Sequence, residues 1–176
     1  MIGMQNCHDP RAIPEVCRLI CVNRSAPRAT FGLHHKNTSG MSDPNALSLQ
    51  ETIGFVRDFH DAFGIANANT PTGVIAAKDV QLRHDLMREE NEEYFAAANN
   101  GDLVEVADAL GDMLYILCGT ILKHGLEHKI EEVFREIQRS NMSKLDANGK
   151  PIYREDGKVL KSDRYFRPDI AAILDK

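Results

Sequence analysis

The stretch Arg88-Glu89-Glu90-Asn91-Glu92-Glu93 places four glutamates within five positions near the middle of the 176-residue chain. A second acidic stretch, Glu-Val-Ala-Asp-Ala-Leu-Gly-Asp at residues 105–112, follows after the turn signal Asn-Asn-Gly101. Both stretches lie within long segments whose apolar residues recur at helical intervals. The pattern therefore predicts two consecutive helices that carry carboxylates toward an interior where a helical protein has its core.

The rest of the chain predicts further helices around this pair. Ser48-Leu-Gln-Glu51 has capping-box spacing and begins a helix over about residues 49–63. The acidic helices span about residues 79–99 and 102–124, and a fourth spans about 127–140. Short connections between helices of this length indicate an all-α fold, an antiparallel four-helix bundle.

The two ends of the chain differ from this helical centre. Residues 1–47 are interpreted as a poorly ordered extension and residues 48–176 as the domain. Within the extension, residues 1–40 lack sustained periodicity and are interpreted as dispensable, with Met41 an alternative start. After residue 144, Asn148-Gly149 and Asp156-Gly157 predict an irregular tail with a small hairpin, followed by a last short helix near residue 167.

Composition excludes several classes of function. The net charge of −5 argues against a protein that neutralises nucleic-acid phosphates, and no apolar run is long enough to span a membrane. A zinc site is conceivable near the N-terminus, but no Cys-x-x-Cys pair is present, which favours unpaired thiols in a reducing, cytoplasmic compartment. The residues considered for such a site are Cys7, His8, Cys17 and Cys21.

The direction of each acidic side chain follows from the rotation of about 100° per helical residue. On the first acidic helix, Glu89 and Glu93 fall inside the apolar stripe and Glu90 at its margin, whereas Glu92 falls outside it. Taken alone, such a charge run is typical of a solvated helix face.

The second acidic helix gives the stronger signal. Asp108, Asp112 and Glu105 form a single seam, and almost every other direction around this helix is apolar. A helix that is apolar on all sides is usually central, and its breadth suggests that copies of the chain pack together. Glu105 has a second explanation, because Asp102-x-x-Glu105 also resembles a capping box.

Two carboxylate seams that face one interior repel each other and resist desolvation. Either some carboxylates are protonated or cations lie between them. Hard oxygen ligands at this density suit Mg²⁺ or Mn²⁺, with Ca²⁺ as a structural alternative.

The motif Glu89-Glu90-x-x-Glu93, followed by Gly-Asp112-Met-Leu-Tyr115, resembles the MazG-like all-α nucleoside triphosphate pyrophosphohydrolases. That superfamily includes the phosphoribosyl-ATP pyrophosphohydrolases and the dimeric dUTPase-like enzymes, and its signature is EExxE, a spacer and ExxD. Arg139-Ser-Asn141-Met-Ser-Lys144 and the tail around Asp156-Gly-Lys158 resemble the dUTPase-related branch. The resemblance covers about residues 50–170.

The resemblance implies an enzyme that hydrolyses an NTP or dNTP to the monophosphate and pyrophosphate. It implies Mg²⁺ as the cofactor, with Mn²⁺ as an alternative, and a homodimer or larger homo-oligomer as the assembly. Glu89 is then the base that activates water or a ligand to a further metal. Lys144 is interpreted as a phosphate contact or as an exposed lysine that interacts favourably with the helix dipole, and Asn141 as a substrate contact or as the C-terminal cap of its helix. The implied metal ligands are Glu90, Glu93, Asp108 and Asp112, with Glu105 in reserve.

One position departs from the family signature. If Asp112 is the family aspartate, the glutamate of ExxD falls on Ala109, which cannot bind a metal. If instead the pair is Glu105-x-x-Asp108, the motif is intact but lies one turn early. We favour Asp108 and Asp112, since Asp108 lies one turn before Asp112.

Two other functions remain open at this point. One is phosphoribosyl-ATP hydrolysis, which the tail resemblance makes the second choice. The other is a non-enzymatic, metal-stabilised helical bundle that binds nucleotides or a partner protein, which the departure at Ala109 keeps under consideration. Tyr115 is interpreted as a core residue in preference to a base-stacking platform.

Overall fold

A computed structural model describes residues 46–175. The described chain is all-α, as predicted, and its only β-type pairing is an isolated antiparallel bridge between Tyr153 and Val159. The proposed zinc ligands and nearly all of the N-terminal extension lie outside the described residues. The helices are α1 Leu49–Ala62, α2 Ala77–Asn100, α3 Leu103–Lys123, α4 Ile130–Met142 and the short α5 Ala171–Leu174.

The helix ends follow the local sequence signals. Ser48 and Glu51 form the predicted capping box at the start of α1. Gly101 takes a positive φ of 68° after α2, and the Asp102 carboxylate then accepts hydrogen bonds from the backbone N–H groups of Val104 and Glu105. Because this turn is so short, α2 and α3 form an antiparallel helical hairpin.

The apolar core lies between α1 and the C-terminal half of α3. Ile53 and Val56 of α1 pack against Cys118, Ile121 and Leu122 of α3. The opposite side of α3 is less covered, and a stripe of leucines between residues 103 and 117 faces solvent. We call Leu103, Leu110, Leu114 and Leu117 the leucine stripe. The prediction of a helix buried on all sides is therefore wrong for this face and holds only for the last turns, residues 118–123.

A buried polar cluster lies beside this core. Arg83 of α2 and His60 of α1 are both buried, and the His60 ring shares a 2.6 Å hydrogen bond with Asn67. Burial lowers the pKa of His60, and nearby Arg83 and Lys123 lower it further against the opposing effect of Asn67. Gly119 of α3 provides the space in which these two side chains meet α3.

Replacing Gly119 with alanine is expected to lower the free energy of unfolding by about 1–2 kcal/mol, because extra atoms in a packed interior force shifts. A Cβ atom at this position would lie 2.9 Å from Arg83 Nη1 and 3.1 Å from His60 Nε2. Gly111→Ala is the matched control on the same helix, since nothing lies within 4 Å of its added Cβ. For Gly111→Ala, helix propensity predicts that the free energy of unfolding rises by about 0.5–1 kcal/mol. Urea unfolding measures both, and equal effects would contradict the packing argument.

The tail folds back along α4. Ser140 Oγ donates a hydrogen bond to the Phe166 carbonyl, and the Arg139 guanidinium lies 4.3 Å from the centre of the Phe166 ring. The predicted hairpin is reduced to the single bridge and two hydrogen bonds beside it. None of the described helices combines the length and the apolar character that crossing a membrane requires.

Candidate active site

Glu90 is the acidic residue that α2 places deepest. Only 3% of Glu90 is exposed, Glu89 is half-buried, and Glu92 and Glu93 are exposed. The expectation that Glu93 lies inside the buried stripe, with Glu90 at its margin, was therefore wrong. The long side chain of Glu93 still contributes its charge at the edge of the site, as the pKa of Glu90 indicates.

The predicted and observed burial of Glu90 and Glu93 differ because charged residues form part of the buried face of α2. The buried residues of this helix are Arg83, Leu86, Glu90 and Ala97, which recur at spacings of three, four and seven. Two of these four residues are charged. A buried face inferred from the apolar residues alone is therefore rotated around the helix axis away from the face that is actually buried. Glu90 consequently lies at the centre of the face that meets α3.

Electrostatics shows that the two acidic stretches share one site. The pKa of Glu90 is raised from 4.5 to about 7, first by burial and then by the charge of Asp112, with smaller contributions from Glu93, Glu89 and Asp108. Burial and Asp108 likewise raise the pKa of Asp112. Side chains from α2 and α3 therefore lie within each other's field, and negative charge is concentrated beside a desolvated carboxyl group.

These residues suit a hard divalent cation in their chemistry. All of them are carboxylates, the ligands that Mg²⁺ and Mn²⁺ prefer, and a cation would relieve the repulsion that raises the pKa of Glu90. Within residues 46–175, no three carboxylate, imidazole or thiolate groups converge closely enough to enclose a metal ion. Binding of a cation by these carboxylates would therefore require their side chains to move closer together.

The positions of Glu105 and Ala109 clarify the departure from the family signature. Ala109 is 2% exposed and belongs to the buried surface of α3, whereas Asp108 is exposed and Asp112 is half-buried. Glu105 lies exposed in the first turn of α3, where Asp102 serves as the helix cap. Ala109 thus fills a packing position, and Asp108 and Asp112 remain the α3 carboxylates that act on Glu90.

The two residues expected to contact substrate lie at the end of α4. Lys144 Nζ donates a 2.8 Å hydrogen bond to Asn141 Oδ1. Asn141 lies in the last turn of α4 and Lys144 follows it, and the two side chains bond to each other instead of to the carboxylates of α2 and α3. The structure therefore brings Glu89, Glu90, Glu93, Asp108 and Asp112 together and leaves Asn141 and Lys144 as a separate pair.

An aromatic cluster adjoins the acidic residues and was not singled out as a site from the sequence. The ring of Phe59 lies 5.8 Å from that of Tyr115 and 4.4 Å from that of Phe63, measured between centroids. Burial raises the pKa of Tyr115, and the charge of Asp112 raises it further. The spacing of four residues between Phe59 and Phe63 was the available signal, but their proximity to Tyr115 depends on tertiary packing.

Comparison with known families supports an enzymatic role for this site. Residues 56–141, just under half of the chain, match the sequence model of the family described as phosphoribosyl-ATP pyrophosphohydrolase. A search of curated proteins finds no match. The matched segment contains all five clustered carboxylates and indicates a hydrolase of phosphoanhydride bonds that acts on a nucleotide. Residues 56–141 are therefore similar to a family of the MazG-like all-α NTP pyrophosphohydrolase superfamily.

Proposed function

We propose that this protein is a Mg²⁺-dependent pyrophosphohydrolase that converts an NTP or dNTP to the monophosphate and pyrophosphate. The proposal rests on Glu90, whose buried carboxyl group lies in the electrostatic field of four other carboxylates on two helices. Such an arrangement is unfavourable without a cation. A cation held there is well suited to a substrate that is itself a polyphosphate.

Each residue has a role in this proposal. Glu90, Glu93, Asp108 and Asp112 would hold Mg²⁺, or Mn²⁺ in its place, with Glu105 near enough in sequence to serve as a further ligand. When bound, Mg²⁺ neutralises charge on the phosphate oxygens. Glu89 is half-buried beside Glu90 and would accept a proton from the attacking water. That water adds to phosphorus, and the bond between the α- and β-phosphates breaks.

Asn141 and Lys144 are proposed to contact the phosphates. Lys144 carries a positive charge, and its hydrogen bond to Asn141 fixes its direction at the end of α4. Lys144→Gln should therefore raise KM more than it lowers kcat, since the lysine binds phosphate without taking part in proton transfer.

A panel of nucleotides tests the proposed reaction. The protein is incubated with Mg²⁺ and each of the common NTPs, the dNTPs including dUTP, and phosphoribosyl-ATP, and both products are identified. Formation of pyrophosphate and monophosphate is expected. Release of inorganic phosphate alone, or no release from any substrate, would disprove the proposal.

Phosphoribosyl-ATP is the second candidate substrate, because the matching family is described by that activity. The tail after residue 144, which resembles the dUTPase-related branch, favours a house-cleaning (d)NTP enzyme over it. The two substrates require the same bond cleavage and the same carboxylates. The ratio of kcat/KM values in the panel decides between them.

We further propose that the protein functions as a homodimer or larger homo-oligomer. The leucine stripe on α3 is exposed, and it faces away from Asp112 around the helix. Light scattering is expected to give at least twice the chain mass. Leu114→Glu should shift the mass to that of one chain, whereas a monomeric wild-type protein would contradict the proposal.

A further inference from the structure

Three aromatic rings form a continuous series, and the ring at one end, Tyr115, lies in the electrostatic field of Asp112. Phe63 closes the C-terminal end of α1 and is 52% exposed, whereas Phe59 and Tyr115 are half-buried. Phe59 contacts both neighbours, since its ring centroid lies 4.4 Å from that of Phe63 and 5.8 Å from that of Tyr115. Phe63 is therefore supported from behind by a ring that is itself fixed against α3.

The direction of α1 places this series next to the acidic site. At the start of α1, Gln50 Nε2 donates a 2.9 Å hydrogen bond to the Glu127 carbonyl, and later in the helix Phe59 meets Tyr115. Hence α1 runs antiparallel to α3, and Phe63 continues toward the half of α3 that carries Asp112. Tyr115 lies one turn beyond Asp112 on the same side of α3.

An exposed aromatic ring beside a carboxylate cluster suits a ligand with two chemically different ends. One end is flat and unsaturated, and stacks on a ring held in place by a second ring. The other end is anionic and takes the cation that the carboxylates hold. A nucleotide has both ends in one molecule, joined by a single sugar.

We propose that Phe63, held in place by Phe59 and Tyr115, is the surface on which the base of the nucleotide stacks. The phosphate end of this inference rests on the proposed pyrophosphohydrolase function, whereas the base end rests on the ring geometry. Stacking of a base on an aromatic side chain contributes about 1–3 kcal/mol, and every base has a π-face. Removal of Phe63 should therefore weaken nucleotide binding by about 5- to 150-fold.

Calorimetry with two probes tests this inference. The first probe is an NTP analogue with a non-hydrolysable α,β-bridge, and the second is tripolyphosphate, which has no base; both are titrated with Mg²⁺. Phe63→Ala should weaken binding of the analogue and leave binding of tripolyphosphate unchanged. Phe63→Trp should bind the analogue with the affinity of the wild type. Phe55→Ala is the matched control, since Phe55 is an exposed phenylalanine two turns earlier on α1.

Several outcomes would overturn the stacking surface. Unchanged affinity of Phe63→Ala for the analogue would do so, as would equal weakening by Phe55→Ala, equal weakening toward tripolyphosphate, or a wild-type protein that binds no nucleotide. The proposed function is judged separately, by product formation. If Phe63 is required for binding but no substrate is cleaved, the stacking surface stands and the enzymatic proposal fails. If substrate is cleaved but Phe63→Ala has the same KM as the wild type, the enzymatic proposal stands and the stacking surface fails.

Discussion

Asp112→Asn is expected to lower kcat for pyrophosphate release by at least about 100-fold. Asp112 is proposed to hold the Mg²⁺ that stabilises developing negative charge, and loss of such stabilisation typically costs a factor of 10²–10³. The asparagine keeps the shape of the side chain but removes the charge that α3 contributes next to Glu90. The helix itself should remain intact, because burial and Asp108 already disfavour the charged form of Asp112. Initial rates at saturating nucleotide and Mg²⁺ measure the loss.

Glu92→Gln is the control for this experiment. Glu92 belongs to the same acidic run, but it is exposed and pairs with Arg88 one turn earlier. Its removal changes the net charge by the same amount without touching the site, so activity should stay within about twofold of the wild type, in keeping with the small contribution of surface ion pairs. Equal losses in the two variants would show that net charge, and not the site, controls the rate.

The same pair of variants addresses the non-enzymatic alternative. If the carboxylates hold a cation only to stabilise the bundle, the wild-type protein shows no turnover. Mg²⁺ then raises the melting temperature of the wild type and of Glu92→Gln but not of Asp112→Asn. EDTA reverses the rise where it occurs.

The helix ends could be predicted from sequence because local hydrogen bonds determine them. Ser48 with Glu51, and Asp102 with the glycine before it, begin α1 and α3 where the residue types indicate. The orientation of α2 was predicted less well. Arg83 is buried, and a method that assigns arginine to the surface places the inward face too close to Glu93.

Contacts between distant segments could not be predicted in the same way. Phe59 and Tyr115 are separated by more than fifty residues, and their contact depends on the crossing of α1 over α3. The leucine stripe shows the same limit. A pattern that is apolar on all sides predicts burial of α3, but it does not say whether the chain itself or another copy covers each face.

Without a divalent cation, the contribution of Glu90 to the stability of the protein is expected to fall as the pH rises from about 4.5 to about 7. The pKa of Glu90 is raised from 4.5 to about 7 in the folded state, so the folded protein binds the proton more tightly than the unfolded chain does. Stabilisation from this residue is complete below the unfolded value and is lost as the pH rises to the folded value. The loss is on the order of 2 kcal/mol, allowing for partial solvation of the carboxylate.

Glu90→Gln isolates this contribution. Glutamine does not ionise, so the variant should exceed the wild type in stability by about 2 kcal/mol at pH 8 in EDTA and match it near pH 4.5. The pKa of His60 is lowered by burial, which makes stability fall at acid pH, but His60 is present in both proteins and cancels in their difference. Urea unfolding across this pH range gives the two curves.

Mg²⁺ should reverse the order of the two proteins. The wild-type carboxylate can ionise and bind the cation, so Mg²⁺ at 100 times its dissociation constant adds about 2.7 kcal/mol at pH 8, whereas Glu90→Gln gains less. Curves that run parallel in EDTA would show that Glu90 titrates normally in the folded protein. An equal gain from Mg²⁺ in both would place the cation elsewhere, because a ligand set centred on Glu90 cannot lose that charge and keep its affinity.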